Sequence, residues 1–381
     1  MTFQYASPPS AVSPQHVLEP PAPSAVFVVV TVRPGAEDSI RDFLGGIGGV
    51  IRAVGFRAKA AGLSCVTGIG ADLWDRLFPG KRPAKLHPFK ELKGGTNVAP
   101  STPGDLLFHI RSQRTDMSFE LARQLINQIS ESVDVVDEVH AFRYFDQRDI
   151  LGFVDGTANP EDQLAVDSVF VGDEDPDFAG SSYVVVQKYL HDLPKWNSIT
   201  VEEQQAAIGR HKLSDIEIPD ADKAPDSHVI LNTITGPDGK EQKIVRDNMV
   251  FGSVESGDFG TYFIGYAADP GVTETMLEHM FLGHGDATHD RILDFSTAVT
   301  GGLFFVPTQD FLDDPASVLA RRTRAERADG ETDMGTTPTV ARILPGDPDR
   351  LSLPEAFAFP AEAEFWSARS SSPPSTGPRP S

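Results

Sequence analysis

The sequence predicts an α+β fold built from two similar halves, each with an antiparallel sheet and covering helices. Two observations lead to this prediction. The first is that short β-branched or apolar runs alternate with stretches whose apolar residues have helical spacing. The second is that the runs contain polar interruptions, which favours antiparallel sheets over a buried parallel sheet. With 381 residues, the chain is long enough for two packed halves.

The predicted first half comprises residues 25–148. It opens with the β-branched run Ala25–Val32, which indicates a strand, and continues with a glycine-interrupted helical segment, Asp38–Val54. The next predicted elements are strands at Leu63–Ile69 and Leu106–Arg111, a helix at Ser118–Ile129 and a strand at Val133–Phe142. This strand-helix-strand-strand-helix-strand order is that of a ferredoxin-like unit.

The predicted second half comprises residues 149–313 and contains a similar set of elements. These are strands at Tyr183–Tyr189, His228–Ile234 and Thr261–Ala267, a helix at Thr273–Phe281 and a strand at Gly302–Val306. The chain as a whole therefore predicts a duplicated ferredoxin-like α+β fold. Residues 1–24, rich in Pro and Ser, and the low-complexity residues 314–381 are predicted to be tails, the first of them disordered.

Composition excludes several classes of protein. The formal net charge of -22 repels nucleic acid phosphates and anionic membrane surfaces, so neither is an expected partner. No apolar run approaches the roughly 18 residues of a membrane span. The N-terminal residues lack the pattern of a secretory signal, and the single cysteine, Cys65, is ordinary for a reducing compartment, so we expect a cytoplasmic protein.

Motifs of other enzyme classes are missing from the sequence. It contains no GxxxxGK[ST] phosphate loop, no HExxH, no CxxCH and no GxSxG nucleophile elbow. These absences argue against NTPase, zinc protease and α/β-hydrolase functions.

The segment LGFVDGTANP places Asp155 among apolar residues and glycines. The glycines let the backbone pass close to a flat group, and the apolar neighbours desolvate the carboxyl group in part, which suits a proton shuttle. The structural alternative is an Asx-type turn that ends at Pro160.

His228 lies in the apolar segment SHVILN. One ring nitrogen of a buried histidine can bind a metal or haem iron while the other donates to a carboxylate, which fixes the tautomer. The alternative is a structural histidine whose two nitrogens are satisfied within the core.

Arg246 and Asn248 lie in IVRDNMVFG, where the alternation of a strand puts them on one face. A guanidinium beside an amide suits the stabilisation of negative charge that develops on an oxygen atom. The alternative is a surface ion pair between Arg246 and Asp247.

Taken together, these segments resemble the dye-decolourising peroxidases. GFVDGTANP matches the GxxDG signature of that family, and the segments around His228 and Arg246 follow in the family's order. The stretches APSTPGDLLFHIR, VVDEVHAFRYFD, GTYFIGYA and RILDFSTAVTGGLFFVP resemble the bacterial members called B-type. The resemblance extends over about Val26–Leu312.

The resemblance implies a haem b peroxidase with one non-covalent haem per chain, bound in the C-terminal half. Carried over residue by residue, it makes His228 the axial ligand of the haem iron. Arg246 would then stabilise the departing oxygen, and Asp155 or Asn248 would position hydrogen peroxide and relay its proton. Peroxide would oxidise the haem to a ferryl state, and dyes, phenols or other bulky reducing substrates would return the electrons.

Secondary assignments follow from the same resemblance. Arg210 is the candidate for pairing with a haem propionate, and Thr157 for contact with the haem edge. Asp290 and Asp294 are both candidates for the carboxylate behind His228. We expect a homo-oligomer.

Two features of known relatives find little support in this sequence. Manganese oxidation is not expected, since Ala158 replaces a glutamate that some relatives have, although Glu217 and Glu241 are present. Relatives are often packaged in encapsulin shells through a peptide resembling SLxIGSLK, but the tail here contains no such match.

Two other functions remain open alternatives. A haem carrier or iron-releasing protein needs His228 but has no evident use for Asp155 and Arg246 as a distal proton relay, and fold does not settle function. A structural α+β protein would require three separate segments to match one active-site pattern by accident.

Overall fold

The computed structural model describes residues 12–315. Its strands, in chain order, are β1 (Ser24–Val32), β2 (Ser64–Gly70), β3 (Leu92–Gly94), β4 (Asn97–Ala99), β5 (Leu106–Ser112), β6 (Val133–Phe142), β7 (Ser182–His191), β8 (Ile234–Thr235), β9 (Glu241–Gln242), β10 (Val245–Arg246), β11 (Met249–Ser253), β12 (Asp258–Ala267), β13 (Ser296–Ala298) and β14 (Gly302–Val306). Its α-helices are α1 (Glu37–Gly55), α2 (Ala71–Leu77), α3 (Thr115–Ile129), α4 (Asp162–Val169), α5 (Leu193–Ser198), α6 (Val201–Ile208), α7 (His228–Leu231), α8 (Pro270–Leu282) and α9 (Gln309–Asp313).

Each half forms a four-stranded antiparallel sheet with the strand order of a ferredoxin-like unit. In the first half the order is β6-β1-β5-β2, and in the second it is β14-β7-β12-β11. The predicted α+β fold class with antiparallel sheets is therefore confirmed. The strands predicted at Val133–Phe142 and Gly302–Val306 have the same bounds in the structure.

The two sheets join at both edges and close into a ring of eight strands. At one seam β2 pairs with β14 through Phe304↔Gly70 and Phe305↔Ile69, and at the other β6 pairs with β11 through Val250↔Phe142. Closure leaves neither sheet with an unpaired edge along these strands.

The ring separates two apolar cores, which explains why β1 is continuously apolar from Ala25 to Val30. Ala25, Phe27 and Val29 pack inside the ring, whereas Val26 and Val28 pack on its outer face under the helices. Both faces of the strand are buried, so the sequence has no polar alternation there.

A buried charged pair crosses the inside of the ring and reaches the segment around Arg246. Arg111 on β5 donates from Nη1 to Oδ2 of Asp247 at 2.9 Å, and both side chains are buried. The alternative of a surface pair between Arg246 and Asp247 is wrong, because the Asp247 carboxylate is engaged by Arg111. His109, next to this pair, shares a hydrogen bond of 2.8 Å with the hydroxyl of Tyr266.

Two predicted elements differ from the structure. The strand predicted over His228–Ile234 is wrong at its start: His228–Leu231 is the short helix α7, and only Ile234–Thr235 is a strand. The β-branched residues of this segment suggested a strand, but packing against α8 and α6 overrides that local preference.

The disordered tail predicted over residues 1–24 is also wrong for residues 12–23, which pack on the ring. The Gln15 side chain donates to the carbonyls of Thr67 and Pro307 at 2.9 and 2.8 Å and so spans the β2–β14 seam. Val17 is buried inside the ring. Of the predicted C-terminal tail, residues 316–381 lie outside the described part of the chain. No helix within residues 12–315 is long and apolar enough to cross a membrane.

Candidate active site

A cavity of about 900 Å³ lies against the second half of the chain. This volume is near the upper end of the roughly 300–1,000 Å³ that is usual for cofactor and ligand pockets. The cavity brings together all of the predicted site residues, namely Asp155, Thr157, Arg210, His228, Arg246 and Asn248. They come from four separate segments of the sequence.

The loop that carries Asp155 is held by backbone hydrogen bonds. Asp155 donates its N–H to the carbonyl of Gln147 at 3.0 Å, and its Oδ1 accepts the Gly156 N–H at 2.7 Å. Gly156 has a φ of 79°, a left-handed conformation that a residue with a Cβ adopts at a cost. The Asp155 side chain thus contacts the N–H of the next residue, whereas an Asx-type turn would use the N–H two residues on, and the carboxyl group lines the cavity.

Asn159 ties this loop to the strand of Arg246. Its Nδ2 donates to the Arg246 carbonyl at 2.7 Å and its Oδ1 accepts the Arg246 N–H at 3.0 Å. The Asn159 amide thus pairs with the Arg246 backbone as a neighbouring strand would. It joins two segments that are 87 residues apart in the sequence. The sequence motif contained Asn159, but its type alone does not reveal this role.

Arg246 and Asn248 line the cavity, whereas the intervening Asp247 is directed to the inside of the ring. Asn248 Oδ1 accepts the Ile264 N–H at 3.1 Å, and its Nδ2 donates to Asp155 Oδ1 at 3.4 Å. Within residues 12–315 the Arg246 guanidinium forms no ion pair. It is therefore available to a ligand in the cavity.

His228, the first residue of α7, has one ring nitrogen engaged by a buried carboxylate. Nδ1 of His228 lies 2.7 Å from Oδ2 of Asp290, a residue with 0% exposure. Asp290 Oδ1 accepts the Ile292 N–H at 3.0 Å, which fixes the carboxylate. Asp294, the other candidate, instead contacts His289 at 3.0 Å. Since Asp290 occupies Nδ1, Nε2 of His228 is left for a ligand.

A second histidine of the cavity wall, His191, differs in this respect. Its Nδ1 and Nε2 lie 2.7 and 2.9 Å from the hydroxyls of Ser296 and Thr261, so both nitrogens are satisfied. Burial lowers the pKa of His191 to about 4, which keeps the ring neutral. Sequence reasoning did not single out His191. Its two hydrogen bonds give it a structural role in the cavity wall.

The donor set of the cavity suits a flat, largely apolar cofactor that brings most of its own metal ligands. No group of three or more His, Cys, Asp or Glu side chains within the described residues could hold a metal ion by itself. A histidine that offers one nitrogen fits an axial position. The apolar part of the wall includes Leu151, Phe153, Ile208, Ile230, Phe263, Met276, Leu277, Met280 and Ile292.

Arg210 and Lys223 are the cations on the wall near Glu217. Arg210 Nη2 lies 2.9 Å from Glu217 Oε2, and Lys223, a residue that sequence reasoning missed, pairs with the same carboxylate. Thr157 Oγ1 donates to Asp215 Oδ2 at 2.7 Å. The structure therefore places Arg210 and Thr157 in the cavity wall, with protein partners of their own.

Family models match both halves of the chain. The N-terminal model of the Dyp-type peroxidases matches residues 14–143, and the C-terminal model matches residues 146–311. The chain therefore belongs to the Dyp-type peroxidase family. The predicted family and enzyme class are confirmed.

Individual relatives agree with this assignment. The dye-decolorizing peroxidase of Brevibacterium linens is 64% identical over 358 residues, which cover 93% of this chain and 95% of that protein. The encapsulated DyP-type peroxidase of Mycobacterium smegmatis has a TM-score of 0.79 and 58% identity, over 80% of this chain and 99% of that one. A variant of DypB from Rhodococcus jostii RHA1, solved in complex with heme, has a TM-score of 0.77 and 53% identity, over 79% of this chain and 98% of that one.

Proposed function

We propose that this chain is a haem b peroxidase that uses hydrogen peroxide to oxidise dyes, phenols or other bulky reducing substrates, with His228 as the axial ligand of the iron. The observation that carries the proposal is the single free nitrogen of His228 in a cavity that also presents Asp155, Arg246 and Asn248. The heme complex of the Rhodococcus jostii neighbour supports the choice of cofactor. The only cysteine, Cys65, is buried, in keeping with a cofactor held without thioether bonds.

In this proposal Asp290 positions His228. A carboxylate that accepts the Nδ1 proton fixes the tautomer, directs Nε2 to the iron and makes the imidazole a stronger donor. Asp290 is well suited because it is fully buried and its other oxygen is held by the Ile292 N–H.

Asp155, Asn248 and Arg246 act on the peroxide. Both hydrogen bonds of the Asp155 side chain, to the Gly156 N–H and the Asn248 amide, use Oδ1, so Oδ2 is left to accept the peroxide proton and to return it to the departing oxygen. The Arg246 guanidinium stabilises the negative charge that develops on that oxygen. When bound, haem supplies the redox chemistry, by taking up the oxidising equivalents of peroxide and passing them to the reducing substrate.

Arg210 and Thr157 are proposed to border the cofactor. Arg210 would share its guanidinium between Glu217 and a propionate, and Lys223 adds a second positive charge at that place. Thr157 would touch the edge of the ring.

We propose that manganese is not a substrate. The carboxylates of Glu217 and Glu241 are neutralised by Arg210 and by Lys243, at 2.9 and 2.5 Å respectively. A DypB variant has been solved in complex with manganese. Ala158 in this chain offers no carboxylate that could add to such a site.

For the cellular setting, we propose a homo-oligomer in the cytoplasm. The Mycobacterium smegmatis neighbour is an encapsulated peroxidase, which agrees with an intracellular location.

The test of the proposed function is a reaction of the haem-loaded chain with hydrogen peroxide. We expect one haem per chain by titration of the Soret band, a fast change of that band in stopped-flow absorbance after mixing with peroxide, and dye bleaching that the haem-free chain does not show. Binding of haem without any peroxide-driven change would contradict the proposal. It would favour a carrier or iron-releasing function, as suggested by the name of a 25% identical Escherichia coli relative, deferrochelatase.

A change at Asp290 tests the support of His228. We expect Asp290→Ala to weaken haem binding by roughly 10- to 100-fold, the usual cost of losing a carboxylate behind a metal-binding histidine. Asp294→Ala is the matched control, since Asp294 lies four residues away and contacts His289 instead. Equal losses in both variants, measured by Soret titration, would show that Asp290 has no special part.

A further inference from the structure

A second carboxyl group, that of Asp149, lies beside Asp155. Both residues line the main cavity, and both also line a smaller cavity of about 70 Å³ on its other side. The smaller cavity is bounded by residues of the N-terminal segment and the end of β6, including Ala22 and Phe142. Asp149 and Asp155 thus form part of the wall that the two cavities share.

Asp149 stabilises the turn that leads to Asp155 through hydrogen bonds. Its Oδ1 accepts the Phe153 N–H at 2.9 Å, and its own N–H donates to the Phe153 carbonyl at 2.7 Å. Its carbonyl accepts the Gly152 N–H at 3.1 Å. A side chain that holds Phe153 determines where Asp155, two residues later, presents its carboxyl group.

Asp149 has no ion-pair partner within the described residues, although cations are near. Arg148 donates from Nη1 to the carbonyls of Gly152 and Lys212 at 2.8 and 2.6 Å, and Lys212 donates from Nζ to Gln204 at 2.6 Å. The smaller cavity is also lined by Arg143, Arg246 and Asp247. The other charged residues and histidines that line the main cavity are Glu161, His191, Arg210, Glu217, Asp220, Lys223, His228, Glu241 and Lys243.

Burial raises the pKa of Asp149 to about 7. The negative charge of Asp155 acts in the same direction as burial, whereas the Phe153 and Gly152 N–H groups and the charge of Lys212 lower the pKa, and the value of about 7 is the net result. Asp149 lines both cavities, and these give its carboxyl group a route for exchanging protons with solvent. The group therefore changes its charge close to neutral pH.

We propose that Asp149 is a positioning residue of the peroxide reaction, which acts through Asp155 by strengthening it as a proton acceptor when Asp149 is ionised. The proposal rests on the peroxidase function proposed above. Two neighbouring carboxylates that interact raise each other's affinity for a proton. Ionised Asp149 makes Asp155 a stronger base for the peroxide proton, and protonated Asp149 makes it a weaker one.

The test compares pH profiles of the wild-type chain and of Asp149→Asn, both loaded with haem. An asparagine oxygen can still accept the Phe153 N–H, so the variant keeps the turn but loses the charge. We expect the second-order rate of the peroxide-induced Soret change to rise about three- to tenfold between pH 6 and pH 8 in the wild type. The rise should be absent from Asp149→Asn.

Asp146→Asn is the matched control, because Asp146 is three residues away and its side chain is 78% exposed. It should keep the wild-type profile. A wild-type rate that does not rise between pH 6 and pH 8, or a rise that persists in Asp149→Asn, would overturn the proposal.

A second measurement does not depend on catalysis. Infrared difference spectra between pH 6 and pH 8 should show the C=O band of a protonated carboxyl group that is missing from Asp149→Asn. In Asp155→Asn the midpoint of this band should move to lower pH, since a neighbouring negative charge has been removed. Absence of the band, or an unmoved midpoint, would refute the coupling even if the chain is a peroxidase. If the band titrates as expected in a chain that does not react with peroxide, the peroxidase function fails instead, and with it the role of Asp149 in that reaction.

Discussion

Replacement of His228 by alanine is expected to remove haem from the chain and to abolish peroxide-dependent oxidation. Loss of a group that merely supports a ligand costs roughly 10- to 100-fold in affinity, so loss of the ligand itself should reduce activity by more than about 1,000-fold. His228 is the cavity histidine with a nitrogen left free, because Asp290 engages only Nδ1. Soret titration and dye oxidation under equal haem loading measure both effects.

Two controls separate this loss from general damage. His211→Ala changes an exposed histidine that is absent from the cavity wall and should leave both measurements unchanged. Added imidazole should restore part of the Soret band of His228→Ala, since the deletion leaves space where the ring was. Full haem binding and activity in His228→Ala would exclude this residue as the axial ligand.

Replacement of Arg246 by alanine is expected to slow the reaction with peroxide by about 100- to 1,000-fold while haem remains bound. Removal of one group that stabilises developing charge usually has an effect of this size. Arg246→Lys keeps the charge but not the planar fork, so its rate should lie between those of the wild type and the alanine variant. We expect Asp155→Ala to lose no more than Arg246→Ala. Stopped-flow measurement of the Soret change at several peroxide concentrations gives the rate constants.

Lys243 provides the matched control for the positive charge. It also lines the cavity, but its ammonium group lies 2.5 Å from Glu241 and is therefore already neutralised. Lys243→Ala should change the rate constant by less than about threefold, the scale of an exposed ion pair. A larger loss in Lys243→Ala than in Arg246→Ala would mean that the general charge of the cavity, and not the position of Arg246, governs the reaction.

The strands were predictable because they depend on local patterns, and the gathering of the site residues was predictable from the resemblance to a known family. Continuous apolar runs such as Ala25–Val32 and the spacing in Val133–Phe142 indicate strands, and both are strands in the structure. The motif around Asp155 and the segments of His228 and Arg246 were expected in one site, and all three line one cavity.

What the sequence did not predict depends on contacts between distant residues. The β-branched residues after His228 favour a strand, yet tertiary packing makes the segment a helix. The choice of Asp290 over Asp294 follows from a contact across 62 residues, which spacing along the chain does not determine. Asp149 was overlooked for a similar reason: its raised pKa arises from burial, and burial of a loop carboxyl group is visible only after folding.

The N-terminal segment shows the same limit. Its Pro- and Ser-rich composition is typical of a tail, but Gln15 has hydrogen-bond partners on β2 and just after β14. Composition reports how much apolar area a segment has, not whether a polar side chain will find buried backbone groups.

The two strand pairings that close the eight-stranded ring, β2–β14 and β6–β11, determine how the two halves of the chain would behave as separate fragments. Either half produced alone would present two bare strand edges, β2 and β6 on one fragment or β11 and β14 on the other, and bare edges invite aggregation. Co-expressed fragments would have complementary edges, joined further by the Arg111–Asp247 pair. Because Arg111 of the first half holds Asp247, the neighbour of Arg246, such a split enzyme would regain the position of Arg246 only on reassembly, so its activity would report fragment complementation.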